Sequence, residues 1–446
     1  MARIFGTDGV RGVANTELTP ELAFNLGRAG AYVLAQHLTP GQPVNILVGK
    51  DTRLSGDLLA SALTAGILSV GADAYTVGVL PTPAVAWLTH HQAMTAGVMI
   101  SASHNPAADN GIKFFAHDGC KLPDELEDEI ELFLQHPERL PRPAGDGVGR
   151  LHEVAAWPEL YVGYLCSLVQ TPLTGLKVVV DCANGAVSDV AKTLFPRLGV
   201  QVELINASPD GLNINVACGS TQPHGLAARV QQAGADLGLA FDGDADRLIA
   251  VDHQGQIVNG DAIMAICALA LQRAGRLANN TLVATVMSNL GLEQAMQAAG
   301  IRLLRAPVGD RYVLAKMQEV GANLGGEQSG HIIFLDYATT GDGLLSALQL
   351  LQVVAASGQP LAQLAAVVKP FPQVLHNVPV ANRNIIEHPR VQQAIGEARE
   401  LLGGRGRLLV RPSGTEPLIR VMAEAETEVL ADEAARLVAR VIQENQ

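Results

Sequence analysis

The sequence is poor in aromatic residues and in positive charge. Aromatic side chains make up 4% of the 446 residues, and 44 acidic residues outnumber 31 lysines and arginines, which gives a formal net charge of -13. Affinity for a nucleic-acid backbone comes from clustered lysine and arginine, so this balance argues against a general nucleic-acid-binding protein. An anionic ligand would therefore need a local pocket of positive charge.

Disulfide and membrane signals are also scarce. The longest apolar run, Ala262 to Leu271, has about half of the ~20 residues that a membrane-spanning helix needs, and the opening MARIFGTDGVRG lacks the apolar segment of a signal peptide. The absence of a CxxC pair favours a reducing compartment. The sequence therefore predicts a cytoplasmic protein without membrane association. The cysteines lie at Cys120, Cys166, Cys182, Cys218 and Cys267.

Three segments share one plan, in which an apolar strand ends in polar residues and a helix leads to a second strand that begins at a glycine. They start with NILVGKD at residue 45, KVVVDCANG at residue 177 and TLVATVMSN at residue 281. Near-continuous apolar strands that alternate with helices indicate sheets covered on both faces. From about Phe371 the pattern changes to short strands and two helices, which is typical of an α+β domain with an antiparallel sheet.

The predicted fold class is therefore α/β, with three related α/β domains of mixed, mostly parallel sheets and a C-terminal α+β domain. A chain of this length exceeds what one ordinary core needs, which also favours several domains. We expect the domains to span residues 1–153, 154–255, 256–367 and 368–446.

The first polar loop at a strand end is SASHNP, within GVMISASHNPAADNGIKFF. Ligands of open α/β sheets bind outside the carboxyl ends of the strands, so we expect Ser101 and Ser103 to face a crevice. A turn held by serine, asparagine and proline would explain the loop equally well. A Ser–His hydrolase fits poorly, because His104 adjoins Ser103 and neighbouring side chains of an extended segment point apart.

The second loop, AFDGDADRLIA, carries Asp242, Asp244 and Asp246 after an apolar strand. Three carboxylates at alternate positions can converge on one hard cation and suit Mg²⁺. An EF-hand loop would need glycine and glutamate where the chain has Arg247 and His253. A solvated acidic turn is the remaining alternative. The arginine directly after the aspartates suggests a metal that works beside a phosphate.

Two further loops favour sugar and phosphate binding. The glycine-rich turn LGGEQSGHIIF carries Glu327, Ser329 and His331, and a carboxylate beside a hydroxyl suits sugar hydroxyls. The loop LLVRPSGTEPLIRV has the side chains and backbone N–H groups of a phosphate cradle, with a plain hairpin as the alternative. Together the four loops indicate phosphoryl transfer on a phosphosugar. The cradle candidates are Arg411, Ser413, Gly414, Thr415 and Arg420.

The motifs SASHNP, DGDADR, GGEQSGH and RPSGTEP, in this order over essentially the whole chain, resemble the α-D-phosphohexomutase superfamily. The segments FGTDGVRG, VGKDTRLSG and GVLPTP extend the likeness. Within the superfamily, IFGTDGVRG combined with GGEQSGH is most similar to the phosphoglucosamine mutase family. The resemblance implies four domains around a central cleft, the last of them similar to the TATA-binding protein.

The activity implied by the resemblance is the reversible isomerisation of glucosamine 6-phosphate to glucosamine 1-phosphate. It would proceed through a phosphoserine enzyme and a 1,6-bisphosphate, and would serve the synthesis of UDP-N-acetylglucosamine and cell-wall precursors. Mg²⁺ and glucosamine 1,6-bisphosphate are the implied cofactors, and a homodimer is one oligomeric state left open. A phosphoglucomutase or phosphomannomutase is the main alternative, and a non-catalytic phosphosugar sensor is a weaker one.

The same resemblance assigns roles to individual residues. Ser103 matches the serine that carries the activating phosphate and would bind the metal together with the three aspartates. Lys113 and His331 are the candidates for proton transfer. Arg247 would steady the phosphoryl group, and Glu327 and Ser329 would hold the sugar. Further candidates for the cleft, for which salt bridges between domains are the alternative, are Arg11, Arg53 and Arg311.

Overall fold

The computed structural model describes residues 3–6, 8–39, 41–413 and 417–445. The chain forms two compact units, one of Met1–Met287 with Ile301–Val367 and the other of Ser288–Gly300 with Val368–Gln446. Within the described residues, every helix is too short or too polar to cross a membrane. Besides the elements below, short 3₁₀ turns lie at Pro137–Arg139, Gly145–Gly147, Ala278–Asn280 and Arg383–Glu387.

The first sheet has six strands. They are β1 (Val10–Val13), β2 (Asn45–Lys50), β3 (Asp73–Val79), β4 (Ala96–Ile100), β5 (Asp109–Ala116) and β6 (Leu151–Glu153). The accompanying helices are α1 (Pro20–Gln36), α2 (Ser55–Leu68), α3 (Thr82–His91) and α4 (Asp124–Gln135). The strand order is β1-β5-β4-β2-β3-β6, in which β4, β2, β3 and β6 run parallel and β5 is antiparallel to both of its neighbours.

The second sheet has five strands in the order β11-β10-β9-β7-β8. Its strands are β7 (Lys177–Asp181), β8 (Gln201–Ile205), β9 (Leu237–Phe241), β10 (Leu248–Asp252) and β11 (Ile257–Val258). The helices of this part are α5 (Trp157–Ser167), α6 (Val187–Arg197) and α7 (His224–Ala233). The strands β9, β7 and β8 are parallel, whereas β10 is antiparallel to β9.

The third sheet has four strands in the order β13-β12-β14-β15. Its strands are β12 (Thr281–Thr285), β13 (Arg302–Ala306), β14 (Leu324–Gly326) and β15 (Ile332–Phe334). The helices of this part of the chain are α8 (Gly260–Arg273), α9 (Leu290–Ala298), α10 (Asp310–Val320), α11 (Gly343–Ser357) and α12 (Leu361–Ala365). The strands β13, β12 and β14 are parallel, and β15 is antiparallel to β14.

The C-terminal sheet is antiparallel, with the order β16-β18-β17. Its elements are β16 (Gln373–Pro379), α13 (Pro389–Leu402), β17 (Gly406–Pro412), β18 (Leu418–Ala425) and α14 (Glu428–Glu444). The helix α9 belongs to this unit, because the buried carboxylate of Glu424 accepts a 3.0 Å hydrogen bond from the amide of Leu290 at its start. The C-terminal part is thus an α+β domain, as the sequence predicts.

The three predicted repeats are confirmed by strand pairing. Their first and second strands form the parallel pairs β2–β3, β7–β8 and β12–β13. In each sheet the first strand also pairs in parallel with a third strand, β4, β9 or β14, and this third strand pairs with an antiparallel fourth. The loops that begin near Ser101, Asp242 and Glu327 therefore follow equivalent strands of three related sheets.

Candidate active site

Ser103 lies just beyond the end of β4 and touches the second sheet. Its side chain is buried, and its Oγ donates a 2.6 Å hydrogen bond to Oδ2 of Asp242 in the loop after β9. The Nδ1 atom of His104 lies 3.3 Å from the same hydroxyl. The predicted serine and the first predicted carboxylate thus come from different sheets and meet in a direct contact.

The three aspartates of the second loop converge. Asp242, Asp244 and Asp246 are buried, and one carboxylate oxygen of each lies within 4.8 Å of the others. Within the part of the chain that the structure describes, Oδ1 of Asp244 and Oδ1 of Asp246 are buried without a hydrogen-bond partner. Burial, together with the charges of Asp246 and Asp244, raises the pKa of Asp242 well above its ordinary value.

The cluster of three carboxylates fits a hard divalent cation. Buried charged oxygens without a partner are costly, and a cation among them would satisfy the two orphaned atoms and relieve the repulsion between the carboxylates. An all-oxygen set suits Mg²⁺ or a similar hard ion.

Two residues of the first domain, Lys113 and Thr82, contact the carboxylate of Asp244. The ammonium of Lys113 lies 2.9 Å from Oδ2 of Asp244 and 3.0 Å from Oδ2 of Asp8. Burial disfavours that charge, but Asp244 and Asp8 outweigh burial and raise the pKa of Lys113. The hydroxyl of Thr82 donates a 2.6 Å hydrogen bond to the same Oδ2 atom, and its amide donates to the carbonyl of Asp244. Thr82 lies within GVLPTP, a segment that carries the family resemblance but to which the sequence assigns no role.

His331 lies between two carboxylates. Its Nδ1 is 3.6 Å from Oδ2 of Asp246 and its Nε2 is 3.7 Å from Oδ2 of Asp310. Burial disfavours the charged ring, but the two carboxylates raise the pKa of His331 to about 9. The amide of Gly341, however, donates a 3.0 Å hydrogen bond to Nε2, which requires a free lone pair. This conformation therefore holds the neutral ring, and a second proton requires the Gly341 amide to move.

A chain of charges links Lys113 to His331, and the sequence did not predict it. The ammonium of Lys121 bonds to Asp8 and lies 2.6 Å from Oδ2 of Asp310, which faces His331. Asp8 belongs to the FGTDGVRG segment, which was one signal that could have found it. Lys121 and Asp310 stand alone in the sequence, and only the fold brings them together.

Arg247 and the third loop adjoin the aspartates. The amide of Arg247 donates a 3.1 Å hydrogen bond to Asp242, while its side-chain Nε lies 3.8 Å from Asp246 and, among the described residues, has no hydrogen-bond partner. Glu327 accepts from the hydroxyl of Ser329 at 3.0 Å and from the amide of Gly309 at 3.1 Å. Glu327, Ser329 and His331 all lie in the tight turn between β14 and β15.

The three further arginines differ in environment. Arg53 is 1% exposed, and its guanidinium is enclosed by Asp51 and by backbone carbonyls of the Ser103 loop, so it does not face an open cleft as one of our two interpretations expected. Arg11 pairs with Asp8. Arg311 pairs with Asp124 and Glu127 of α4, a salt bridge between the first and third predicted domains. For Arg311 this contact agrees with the alternative interpretation.

The fourth predicted loop belongs to the C-terminal unit. Arg411 and Arg420 lie directly opposite each other on β17 and β18. Burial and the charge of Arg420 lower the pKa of Arg411. The amide of Ser413 donates a 2.9 Å hydrogen bond to the carbonyl of Leu418. Gly414 and Thr415 lie outside the described residues.

Four phosphoglucomutase/phosphomannomutase models match successive parts of the chain. The α/β/α domains I, II and III match residues 2–139, 159–255 and 259–371, and the C-terminal domain matches residues 375–442. The chain belongs to the phosphoglucomutase/phosphomannomutase family. Membership of this family implies dependence on a metal ion, and the buried Asp242, Asp244 and Asp246 have the geometry to hold one.

Within the family, similar relatives include two curated enzymes named phosphoglucosamine mutase. The chain is 58% identical over 426 residues to that of Moorella thermoacetica, with 95% of each chain covered. It is 56% identical over 446 residues to that of Desulforudis audaxviator, with 100% of this chain and 98% of the relative covered. A crystal structure of a phosphoglucomutase/phosphomannomutase family protein from Burkholderia thailandensis superposes with a TM-score of 0.83 at 25% identity, over 99% of this chain and 97% of that one.

We predict that Asp242, Asp244 and Asp246 together bind one divalent cation. The substitution Asp242→Asn should weaken this binding roughly tenfold or more, since it removes one of three anionic ligands. Electron paramagnetic resonance of free Mn²⁺ measures the affinity without any turnover. The matched control is Asp252→Asn, at a buried aspartate on β10 that caps a turn through the amides of Gln254 and Gln256. Equal Mn²⁺ affinity in both variants, or no saturable binding to the unaltered protein, would contradict the assignment.

Proposed function

We propose that this protein is an isomerase that interconverts glucosamine 6-phosphate and glucosamine 1-phosphate through a phosphoserine at Ser103. The observation that carries the reaction type is the Ser103 hydroxyl, 2.6 Å from Asp242 within a buried carboxylate triad. The amino-sugar substrate is supported by the relatives named phosphoglucosamine mutase, at 58% and 56% identity over nearly the full chain. The products would feed the synthesis of UDP-N-acetylglucosamine and cell-wall precursors.

The reaction consists of two phosphoryl transfers. In the first, the bond between phosphorus and Oγ of Ser103 breaks while O1 of the 6-phosphosugar bonds to phosphorus, and O1 loses a proton as Oγ gains one. The resulting glucosamine 1,6-bisphosphate turns end for end. In the second transfer, the bond between phosphorus and O6 breaks while Oγ of Ser103 bonds to phosphorus, Oγ loses a proton as O6 gains one, and the 1-phosphate is released. The same bisphosphate, supplied from solution, would phosphorylate an inactive serine.

The aspartates Asp242, Asp244 and Asp246 would hold Mg²⁺ together with an oxygen of the phosphoserine. When bound, the cation supplies charge stabilisation for the departing serine oxygen and the transferring phosphoryl group. Arg247 is suited to the same phosphoryl group, because its Nε lies in the buried site without a hydrogen-bond partner among the described residues.

Two side chains are suited to proton transfer. Lys113 contacts Asp244, and Ser103 contacts Asp242 of the same loop, so the two side chains lie in one buried network. The carboxylates of Asp244 and Asp8 favour the protonated form of Lys113. We assign it the donation of this proton to the oxygen that leaves phosphorus, followed by recovery of a proton from the attacking hydroxyl. His331, between Asp246 and Asp310, is the second acid or base.

Glu327 and Ser329 would hold sugar hydroxyls that the two orientations of the sugar share. The amide of Gly309 and the hydroxyl of Ser329 already orient the carboxylate of Glu327, which leaves it capacity to accept further hydrogen bonds. Such a pre-oriented carboxylate binds a polyhydroxyl ligand at a low ordering cost.

The phosphate that is not reacting would bind the loop that includes Arg411, Ser413, Gly414 and Thr415, together with Arg420. Like charges directly opposite each other on antiparallel strands repel, and the structure places Arg411 opposite Arg420. A phosphate shared by both guanidinium groups would relieve that repulsion with charge-assisted hydrogen bonds.

The proposed domain limits lie after residues 153, 255 and 367. We also propose that the enzyme is cytoplasmic, which agrees with its five free cysteines.

A phosphoglucomutase or phosphomannomutase would share the reacting residues, so relative turnover separates the alternatives. We predict a higher kcat/KM for glucosamine 6-phosphate than for glucose 6-phosphate or mannose 6-phosphate, and a phosphate on Ser103 in intact-mass and phosphopeptide analysis. Ser103→Ala should abolish turnover and labelling while keeping the fold. Ser167→Ala, at the exposed end of α5 where the hydroxyl donates to the carbonyl of Tyr164, should change neither.

A higher kcat/KM for glucose or mannose phosphate would favour the alternative enzymes. Binding of phosphosugars without turnover or labelling would favour the sensor. A label on any serine other than Ser103 would overturn the residue assignment.

We predict that Arg420→Ala raises KM for both glucosamine monophosphates about ten- to a hundredfold, which corresponds to one charge-assisted contact. The effect on kcat should be smaller, since the contact is retained from the ground state through the transition state. The variant should also release bisphosphate during turnover and regain activity when bisphosphate is added. Arg440→Ala, on the exposed face of α14, is the control. An unchanged KM without bisphosphate dependence would exclude the loop as the phosphate site.

A further inference from the structure

Ser103 holds a backbone conformation that residues other than glycine rarely adopt. Its φ angle is +51°, in the left-handed region. Such a conformation persists only where the surroundings over-determine it. The amide of Ser103 donates a 2.9 Å hydrogen bond to Oγ of Ser101, whose own hydroxyl donates at 2.5 Å to Asp51. The N-terminal side of the serine is therefore fixed within the first sheet.

The carbonyl of Ser103 accepts hydrogen bonds from two side chains, one in the loop after β2 and one in the loop after β8. It accepts hydrogen bonds from Nη2 of Arg53 at 3.0 Å and from Nδ2 of Asn215 at 2.9 Å. The same two side chains also donate to the carbonyl of Asn105, at 2.8 and 3.2 Å. Gly243 closes the remaining side, because a Cβ atom there would lie 2.5 Å from the Ser103 oxygen and 2.9 Å from Nδ2 of Asn215.

Arg53 is committed entirely to this loop. Its guanidinium donates through Nε to Asp51 at 2.9 Å, through Nη2 to the two carbonyls above, and through Nη1 to the carbonyls of Pro106 and Asp109. A guanidinium has five N–H donors, so all of them have acceptors. None is left for a phosphate or a sugar, and the buried charge is balanced by the buried Asp51.

We propose that Arg53 and Asn215 are positioning residues that clamp Ser103 in its left-handed conformation and so aim Oγ at Asp242. Asn215 comes from the part of the chain that forms the second sheet, so the clamp sets the serine relative to the metal loop that starts at Asp242. The inference rests on the proposed role of Ser103 as phosphate carrier. The clamp would act on phosphoryl transfer and not on sugar binding, since its donors are used by the backbone.

The decisive variant is Asn215→Gly. Asn215 itself has a φ of +59°, which glycine adopts without strain, so the change removes the side-chain amide and leaves the backbone path available. We expect kcat to fall about tenfold or more, as two hydrogen bonds to the loop are lost. KM for glucosamine 6-phosphate should stay unchanged, and phosphorylation of Ser103 by glucosamine 1,6-bisphosphate should slow by the same factor as kcat.

The control is Asn279→Gly. Asn279 also has a left-handed φ, +51°, and its Nδ2 also donates to two carbonyls, those of Val320 and Gly321 at 2.9 and 3.1 Å. It precedes β12 at the amino end of the strand, whereas the reacting residues follow the carboxyl ends of their strands. This variant should keep kcat, KM and the phosphorylation rate.

Hydrogen exchange adds a readout that needs no substrate. Amides of residues 103–109 should exchange faster in Asn215→Gly than in the unaltered protein or in Asn279→Gly. A second variant, Arg53→Lys, keeps the charge beside Asp51 but has at most three donors, and should show the same pattern with a larger loss of kcat.

Three results would overturn the inference. Equal kcat and equal phosphorylation rates for Asn215→Gly and Asn279→Gly would show that the clamp does not position Ser103, while the proposed function would stand. A raised KM with unchanged kcat would instead indicate contact with the sugar. If the unaltered protein carries no phosphate on Ser103 even after incubation with bisphosphate, the proposed function fails and the inference fails with it.

Discussion

The burial of three carboxylates at one point is the constraint on which the site depends. Asp242, Asp244 and Asp246 are at most 7% exposed, and such a group is stable only when positive charge surrounds it. The protein supplies the ammonium of Lys113 from the first domain, and a divalent cation would complete the balance. Because Lys113 and the aspartates come from different sheets, this ion pair also joins the first two sheets to each other.

The equivalent positions of the loops explain how one architecture supplies different chemistry. The strands β4, β9 and β14 each lie between the first strand of a repeat and an antiparallel fourth strand, and each ends in a polar loop. The first loop supplies the serine, the second the carboxylates and the third a glutamate–histidine turn. The hydrogen bond from Ser103 to Asp242 and the 3.6 Å distance between Nδ1 of His331 and Oδ2 of Asp246 show that these loops meet.

Much of the fold and of the site follows from local sequence patterns. Apolar strands that alternate with helices predicted the three sheets, and the apolar strands before SASHNP and DGDADR placed Ser103 and the aspartates at strand ends. Lys121 and Asp310 could not be found in this way, because the ion pairs that place them in the site join residues more than a hundred positions apart. Arg53 was expected in the cleft or in a salt bridge between domains, yet it is buried and its donors go to Asp51 and to backbone carbonyls of one loop. The helix α9 connects β12 to β13, and the sequence did not predict the hydrogen bond from its start to Glu424.

The central claim is that Ser103 and the aspartates form a single site, which would hold a phosphate on Ser103 beside a divalent cation. The most direct test is the ³¹P resonance of the phosphorylated protein during titration with Mn²⁺, because broadening by a paramagnetic ion falls steeply with its distance from the nucleus. The account predicts that one equivalent of Mn²⁺ broadens the phosphoserine signal beyond detection in the unaltered protein, and that Asp242→Asn retains a sharp signal at the same concentration. An unchanged linewidth in the unaltered protein at saturating Mn²⁺ would contradict it.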